Sequence, residues 1–218
     1  MTSTIYRTII ASMFILLLTS HMAFAQGSVT PRGASKPNII EEKHGNVTNY
    51  TVEGSLAATN PVGCIPIANA KNDLTPADLY QGVLQCINEN KFEMATELFA
   101  LAGIYARFDA ERVTDQSAGQ AGEALITNAF STLPKSKKSQ FIAVFDRISK
   151  SQKSLGSLCA NIRKIGAPDY YPKYMILHGM KAFLGDPYEG ALSDAFDPAA
   201  TWRRLQSKYL HCSTKEND

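Results

Sequence analysis

The chain has 218 residues, with 22 Lys and Arg against 20 Asp and Glu, a formal net charge of +2. A balance so near neutral offers no electrostatic reason to expect nucleic acid or anionic lipid as a partner. Hydrophobic residues make up 44% of the sequence, enough for a packed core, and the length suits one domain with tails.

Residues 1–25 read as a secretory signal peptide. Arg7 supplies the positive start. Ile9 to Leu18 (IIASMFILLL) is an apolar run too short to span a bilayer comfortably, and Ala23-Phe24-Ala25 is a small-x-small cleavage pattern ending before Gln26. No cysteine follows the run, which argues against a lipid anchor. The rival is an uncleaved N-terminal anchor. Cleavage implies an exported, periplasmic protein with no membrane anchor.

Residues 26–73 read as a flexible leader, rich in Gly, Ser, Thr, Pro and Asn. Within it, NVTNYTVEG (46–54) alternates enough for a short strand or hairpin. Cys64, Cys86, Cys159 and Cys212 all lie in the exported part. An even count in an oxidising compartment favours two disulfides. The favoured pairing is Cys64–Cys86, a loop folded back along a helix, and Cys159–Cys212, the last helix tied to an earlier one. Metal binding is the rival, but there is no C-x-x-C and no pair of histidines at ligand spacing.

From Leu74 the pattern is helical. Thr75 suits an N-cap, Pro76 the first helical position and Asp78 a capping acid, so a first helix runs to about Glu89 with Leu79, Val83, Cys86 and Ile87 on one face. After the turn Asn88-Glu89-Asn90, residues 91–110 form a second helix that is apolar on most sides, which implies burial among several neighbours. A third helix over about 115–132 carries Ala118, Ala121, Leu125, Ala129 and Phe130. Pro134 ends it, and a fourth runs over about 135–150 with Phe141, Val144, Phe145 and Ile148 inward. Its basic start, KSKK, reads as a solvated face. A fifth spans about 153–165 and stops at Gly166, a sixth follows Pro172 to about Leu184, and a seventh starts after Asp197 and reaches about His211. No convincing strand interrupts the series. The expected domain, 74–212, is an all-α bundle of about seven helices, followed by a disordered tail over 213–218.

The first two helices resemble one repeat of the tetratricopeptide or Sel1-like class. Leu79, Gly82, Val83 and Cys86 fall near its first-helix positions, and Ala95, Phe99 and Ala102 on its small–aromatic–small spacing. Arg107 stands where that motif expects a helix-ending proline, and no second copy follows, so the reading is a single repeat-like hairpin inside a compact bundle.

The segment APDYYPKYMILHGM (167–180) is the most unusual. Asp169, Tyr170, Tyr171, Lys173, Tyr174 and His178 are the candidate protein-binding residues, because accessible tyrosines combine large area with a polar tip. The alternative is that Tyr170 and Tyr174 close the core while His178 donates to a carbonyl. As a catalytic base His178 lacks an evident nucleophile, and there is no G-x-S-x-G elbow. DPYEGALSDAFD (186–197) is too apolar and irregular for a calcium loop. No catalytic, cofactor or metal residue is assigned, and no cofactor is expected. Trp202 with Arg203-Arg204 reads as a core pin for the last helix, or as an interface anchor.

Three stretches together, FEMATELFALAGIYARFDAERV, LCANIRKIGAPDYYPKYMILHGM and YLHC, resemble an exported, all-helical family of Gram-negative bacteria. The resemblance covers most of 74–212. It implies an immunity-type protein that neutralises an interbacterial toxin, with another protein as partner. An envelope adaptor or assembly factor is the second expectation, and a hydrolase with an unrecognised site the third.

Overall fold

The computed structural model describes residues 37–213. The expected signal peptide (1–25), the first part of the expected leader (26–36) and all but the first residue of the expected tail (214–218) lie outside the described residues. The described part is an all-α bundle with a β-hairpin at its start. The hairpin is β1 (Ile39–His44) and β2 (Val47–Val52), antiparallel, with Ile39 opposite Val52 and His44 opposite Val47. Gly45, at φ 63°, takes the left-handed conformation that the two-residue turn requires. Eight α-helices follow: α1 (Pro76–Asn88), α2 (Phe92–Arg112), α3 (Ala121–Ser131), α4 (Lys135–Lys150), α5 (Gln152–Ile165), α6 (Lys173–Ile176), α7 (Lys181–Leu184) and α8 (Pro198–Lys208).

Local chemistry sets the start of α1. Thr75 Oγ1 accepts from the Asp78 amide at 3.2 Å, and Asp78 Oδ2 accepts from the Thr75 amide at 2.8 Å, a complete capping box with Pro76 at the first position. Asp78 is buried, and its Oδ1 also accepts from the amides of Thr59 and Asn60, at 2.7 and 2.6 Å. One carboxylate thus caps a helix and holds the preceding loop against it.

That loop corrects the expectation of a flexible leader to residue 73. Ile67 and Ala70 belong to the main core, and Leu56, Ala58, Val62, Cys64 and Ile65 pack against it. Cys64 is bonded to Cys86 on α1, with Cα atoms 4.7 Å apart. The loop's apolar residues are irregularly spaced, so they show neither helical nor strand periodicity. Backbone bonds to Asp78 and a covalent link do what periodicity does elsewhere.

The centre of the bundle is α2. Leu98, Leu101, Ile104 and Tyr105 are fully enclosed, and α1, α3, α4 and α8 all pack on it. Phe99 meets Tyr80, Phe130, Phe141 and Phe145 edge-on or nearly so, with ring centroids 5.5–5.9 Å apart. Trp202 on α8 lies 5.9 Å from Tyr105 and 6.2 Å from Phe108, so it pins the last helix to the core. Cys159 on α5 and Cys212 beyond α8 form the second disulfide, with Cα atoms 5.8 Å apart. Both bridges follow the pairing favoured by the sequence.

The expected sixth helix is broken into α6 and α7. Asp115 Oδ2 accepts from the Lys181 amide and Ser117 Oγ from the Met180 amide, both at 2.8 Å. Gly179 lies so close to Asp115 that a Cβ there would collide with its carboxylate. These partners restart the helix at Lys181. Asp115 itself precedes a short 3-10 turn, Gln116–Gln120, where the third helix was expected to have begun.

Candidate functional site

The segment 167–188 is organised from inside, by Asp109 in the last turn of α2. Asp109 is fully buried. The hydroxyls of Tyr170 and Tyr174 donate to its Oδ2 at 2.9 and 2.8 Å, and Arg112 Nε donates to its Oδ1 at 2.9 Å. Arg112 Nη2 lies 2.6 Å from the same Oδ1 but outside hydrogen-bond geometry, with no other partner among the described residues. Burial pushes the Asp109 carboxyl above its ordinary range, while Arg112 and the two hydroxyls pull it down. Burial, followed by the Asp109 charge, holds both tyrosines well above theirs, so they remain donors. A buried carboxylate needs such partners, since an unpaired charge in the interior is strongly destabilising.

This geometry divides the six residues expected to form a binding surface. Tyr174 is buried and Tyr170 half-buried, and both hydroxyls are committed to Asp109. They close the core, as the alternative had it. Tyr171 is half-buried against Tyr188, with ring centroids 6.2 Å apart, and its hydroxyl has no partner among the described residues. Only Asp169 and Lys173 are exposed, and the Asp169 amide is tied to the Asn72 carbonyl at 2.8 Å. The six residues therefore do not present one surface. Tyr170 and Tyr174 face inward because they satisfy a carboxylate 61 and 65 residues earlier in the chain, while Tyr171 packs on Tyr188 and His178 meets Ser55.

Among the described residues His178 does not donate to a carbonyl. Its Nδ1 lies 3.1 Å from Ser55 Oγ, and the next amide, that of Leu56, donates to the Tyr174 carbonyl at 3.0 Å. Burial lowers the imidazole from its ordinary value, so it is neutral at neutral pH and can accept from the serine. A Ser–His contact is the first element of a nucleophile–base pair. No group among the described residues orients the other ring nitrogen, and no cluster of three His, Cys, Asp or Glu there could hold a metal ion. As built, the pair ties the turn after β2 to the loop between α6 and α7.

The exposed apolar surface lies beside this node. On the hairpin, Ile39, Ile40, Val47 and Tyr50 are between 40% and 59% exposed. The hairpin is attached through Val52, which packs on Leu177 and Ala182 with Phe183 and Tyr188 around them. That same segment carries Met180, 58% exposed, and Leu184, 83% exposed. The sheet has two strands, so each has a backbone edge without a partner strand among the described residues. An isolated two-stranded sheet gains little stability of its own. Open edges and exposed apolar side chains are the features that extended chains recognise.

Comparison with known proteins adds no precedent: no protein-family model, no curated protein and no solved structure matches this chain. Three features escaped the sequence reading. Asp109 was hidden in an apolar helix, although Asp109 and Arg112 at i, i+3 are a visible charged pair. The strand β1 carried a signal in IIEEKHGN, an apolar start before a Gly-Asn turn. Ser55 carried none.

Proposed function

We propose that this is an exported protein-binding protein, and that the hairpin 39–52 with the segment 180–184 is its docking surface. The observation that carries the reading is the hairpin itself: four exposed apolar side chains on a two-stranded sheet with open edges. A partner adding a strand would satisfy one edge and flank the exposed apolar side chains of the strand it joins. The rest of the molecule supports the role. Two disulfides and a bundle packed around α2 hold the surface ready without reorganisation, which favours tight association. Among the described residues no helix is long and apolar enough to cross a membrane.

With the resemblance to exported immunity-type proteins, the proposed partner is a secreted toxin of an interbacterial system, neutralised in the periplasm. Two arms test this. A strain lacking the gene is mixed with wild-type sister cells. A strain carrying Val47→Asp with Tyr50→Asp is treated alike, after its unfolding midpoint has been checked. The expected result is loss of fitness in both. Full fitness of the deletion strain removes the immunity reading, and full protection by the hairpin variant removes the docking surface.

The Ser55–His178 contact favours a second reading, a hydrolase. Ser55→Ala with the biological role intact disposes of it.

A further inference from the structure

A cleft of about 310 Å³ lies between α2, the 3-10 turn and α3, capped by Tyr209. Its floor is made of small residues. Gly103, Ala106 and Ala110 on α2 face Gly119 and Gly122. A Cβ on Gly122 would meet Ala106 Cβ at 3.3 Å, and one on Gly119 would meet Ala110 Cβ at 3.5 Å. Close packing of two elements accounts for this stripe. It does not account for the polar groups that surround the space.

Tyr80 reaches the cleft from α1. Its side chain is 2% exposed, and its hydroxyl has no hydrogen-bond partner among the described residues. The hydroxyl feels the charge of Arg107 and the hydroxyl of Tyr209, both of which line the cleft. A buried hydroxyl without a partner is unfavourable and calls for a reason. Arg107 stacks on the Tyr209 ring, with its guanidinium carbon 4.6 Å from the centroid. The stack orients the guanidinium and leaves its N–H groups free, since Arg107 has no ion pair among the described residues. Glu123 and the amides of Gln116 and Gln120 line the cleft too. Glu123 likewise has no ion pair among the described residues, so the cation and the anion of this cleft do not neutralise each other.

Each group selects a ligand chemistry. A free guanidinium edge matches a carboxylate in two-pronged fashion. Burial keeps the Tyr80 hydroxyl protonated well beyond neutral pH, so it is available as a second donor to the same carboxylate. Glu123 accepts from an ammonium group. The volume lies at the small end of the range for small-molecule sites. We propose that this cleft binds a small zwitterion, a free amino acid or a dipeptide, with its carboxylate on Arg107 and the Tyr80 hydroxyl and its ammonium group toward Glu123. The site shares no residue with the hairpin, so it stands or falls separately from the partner-binding reading.

Calorimetric titration of the disulfide-bonded protein tests it with three probes: L-alanyl-L-alanine, its N-acetyl form and its C-terminal amide. The free dipeptide is expected to bind with a Kd at or below about 1 mM. Each blocked form is expected to bind at least about tenfold more weakly, the loss of one charged hydrogen bond. Tyr80→Phe and Arg107→Gln are each expected to weaken the free dipeptide about tenfold, Tyr80→Phe with an unfolding midpoint no lower than that of the parent. Glu123→Gln should abolish the preference for the free dipeptide over its N-acetyl form. No saturable binding up to about 10 mM, equal affinity for all three probes, or unchanged binding in both Tyr80→Phe and Arg107→Gln would each overturn the proposal.

Discussion

Replacing Asp109 with Ala probes whether the segment 167–178 is held from within. The substitution leaves Arg112, whose side chain is only 12% exposed, without its counter-ion, and strips the acceptor from the Tyr170 and Tyr174 hydroxyls. Breaking a buried ion pair by removing one partner costs about 3–5 kcal/mol, and the two orphaned hydroxyls push toward the upper end of that range. Urea unfolding at pH 7 with both disulfides oxidised is the assay. With a slope of about 2 kcal/mol per molar urea, the midpoint should fall by about 1.5–2.5 M. A companion variant, Asp109→Ala with Arg112→Met, removes both charges and should recover at least about half of the loss, because no unpaired charge remains inside. Tyr174→Phe should cost about 1 kcal/mol in the parent and almost nothing beside Asp109→Ala, since the two changes delete the same bond. A loss below about 1 kcal/mol for Asp109→Ala, or no recovery in the double variant, would refute the role assigned to Asp109.

Other outcomes follow from the same geometry. Tyr80→Phe, unlike Tyr174→Phe, removes a hydroxyl without a partner, so its melting temperature should equal or exceed the parent's; a clear drop would mean that the hydroxyl is satisfied internally. His178 has a lowered folded-state value, so the unfolded chain binds the proton more readily. Its stabilising contribution is complete above the unfolded value of about 6.5 and is lost as pH falls through the folded one. Urea midpoints of the parent and His178→Gln between pH 5 and 7.5 should therefore differ in slope, the parent losing more on acidification, and parallel curves would contradict this. Removing the Cys64–Cys86 bridge, which closes a separation of 22 residues, should cost about 3 kcal/mol, and removing Cys159–Cys212, at 53, about 4 kcal/mol. A first loss larger than the second would point to strain or denatured-state structure instead of chain entropy.

Much of the scaffold is legible along the chain because its causes are local. The Thr75–Asp78 box, Pro76, the Gly166 stop and the Asp197-Pro198 start each act within one helical turn, and each boundary falls where those residues place it. The apolar girdle of residues 91–110 declares a helix enclosed by others, and α2 is that helix. The disulfide pairing was readable too, since a loop beside a helix and a chain end beside an earlier helix leave few partners within reach.

The direction in which the polar side chains of 167–178 point was not legible. Tyr170 and Tyr174 have one spacing whether they face water or a carboxylate, and the carboxylate that claims them sits on another helix. Ser55 and His178 are 123 residues apart, and nothing local marks either for the other. Residues 54–73 looked unstructured because their apolar side chains keep no period, yet Asp78 and Cys86 hold them to α1. The break between α6 and α7 likewise belongs to Asp115 and Ser117, which accept the Lys181 and Met180 amides. Capping and periodicity act over a few residues and can be read from order alone. The burial of a charge, and the choice of donors that satisfy it, is decided only when distant segments meet.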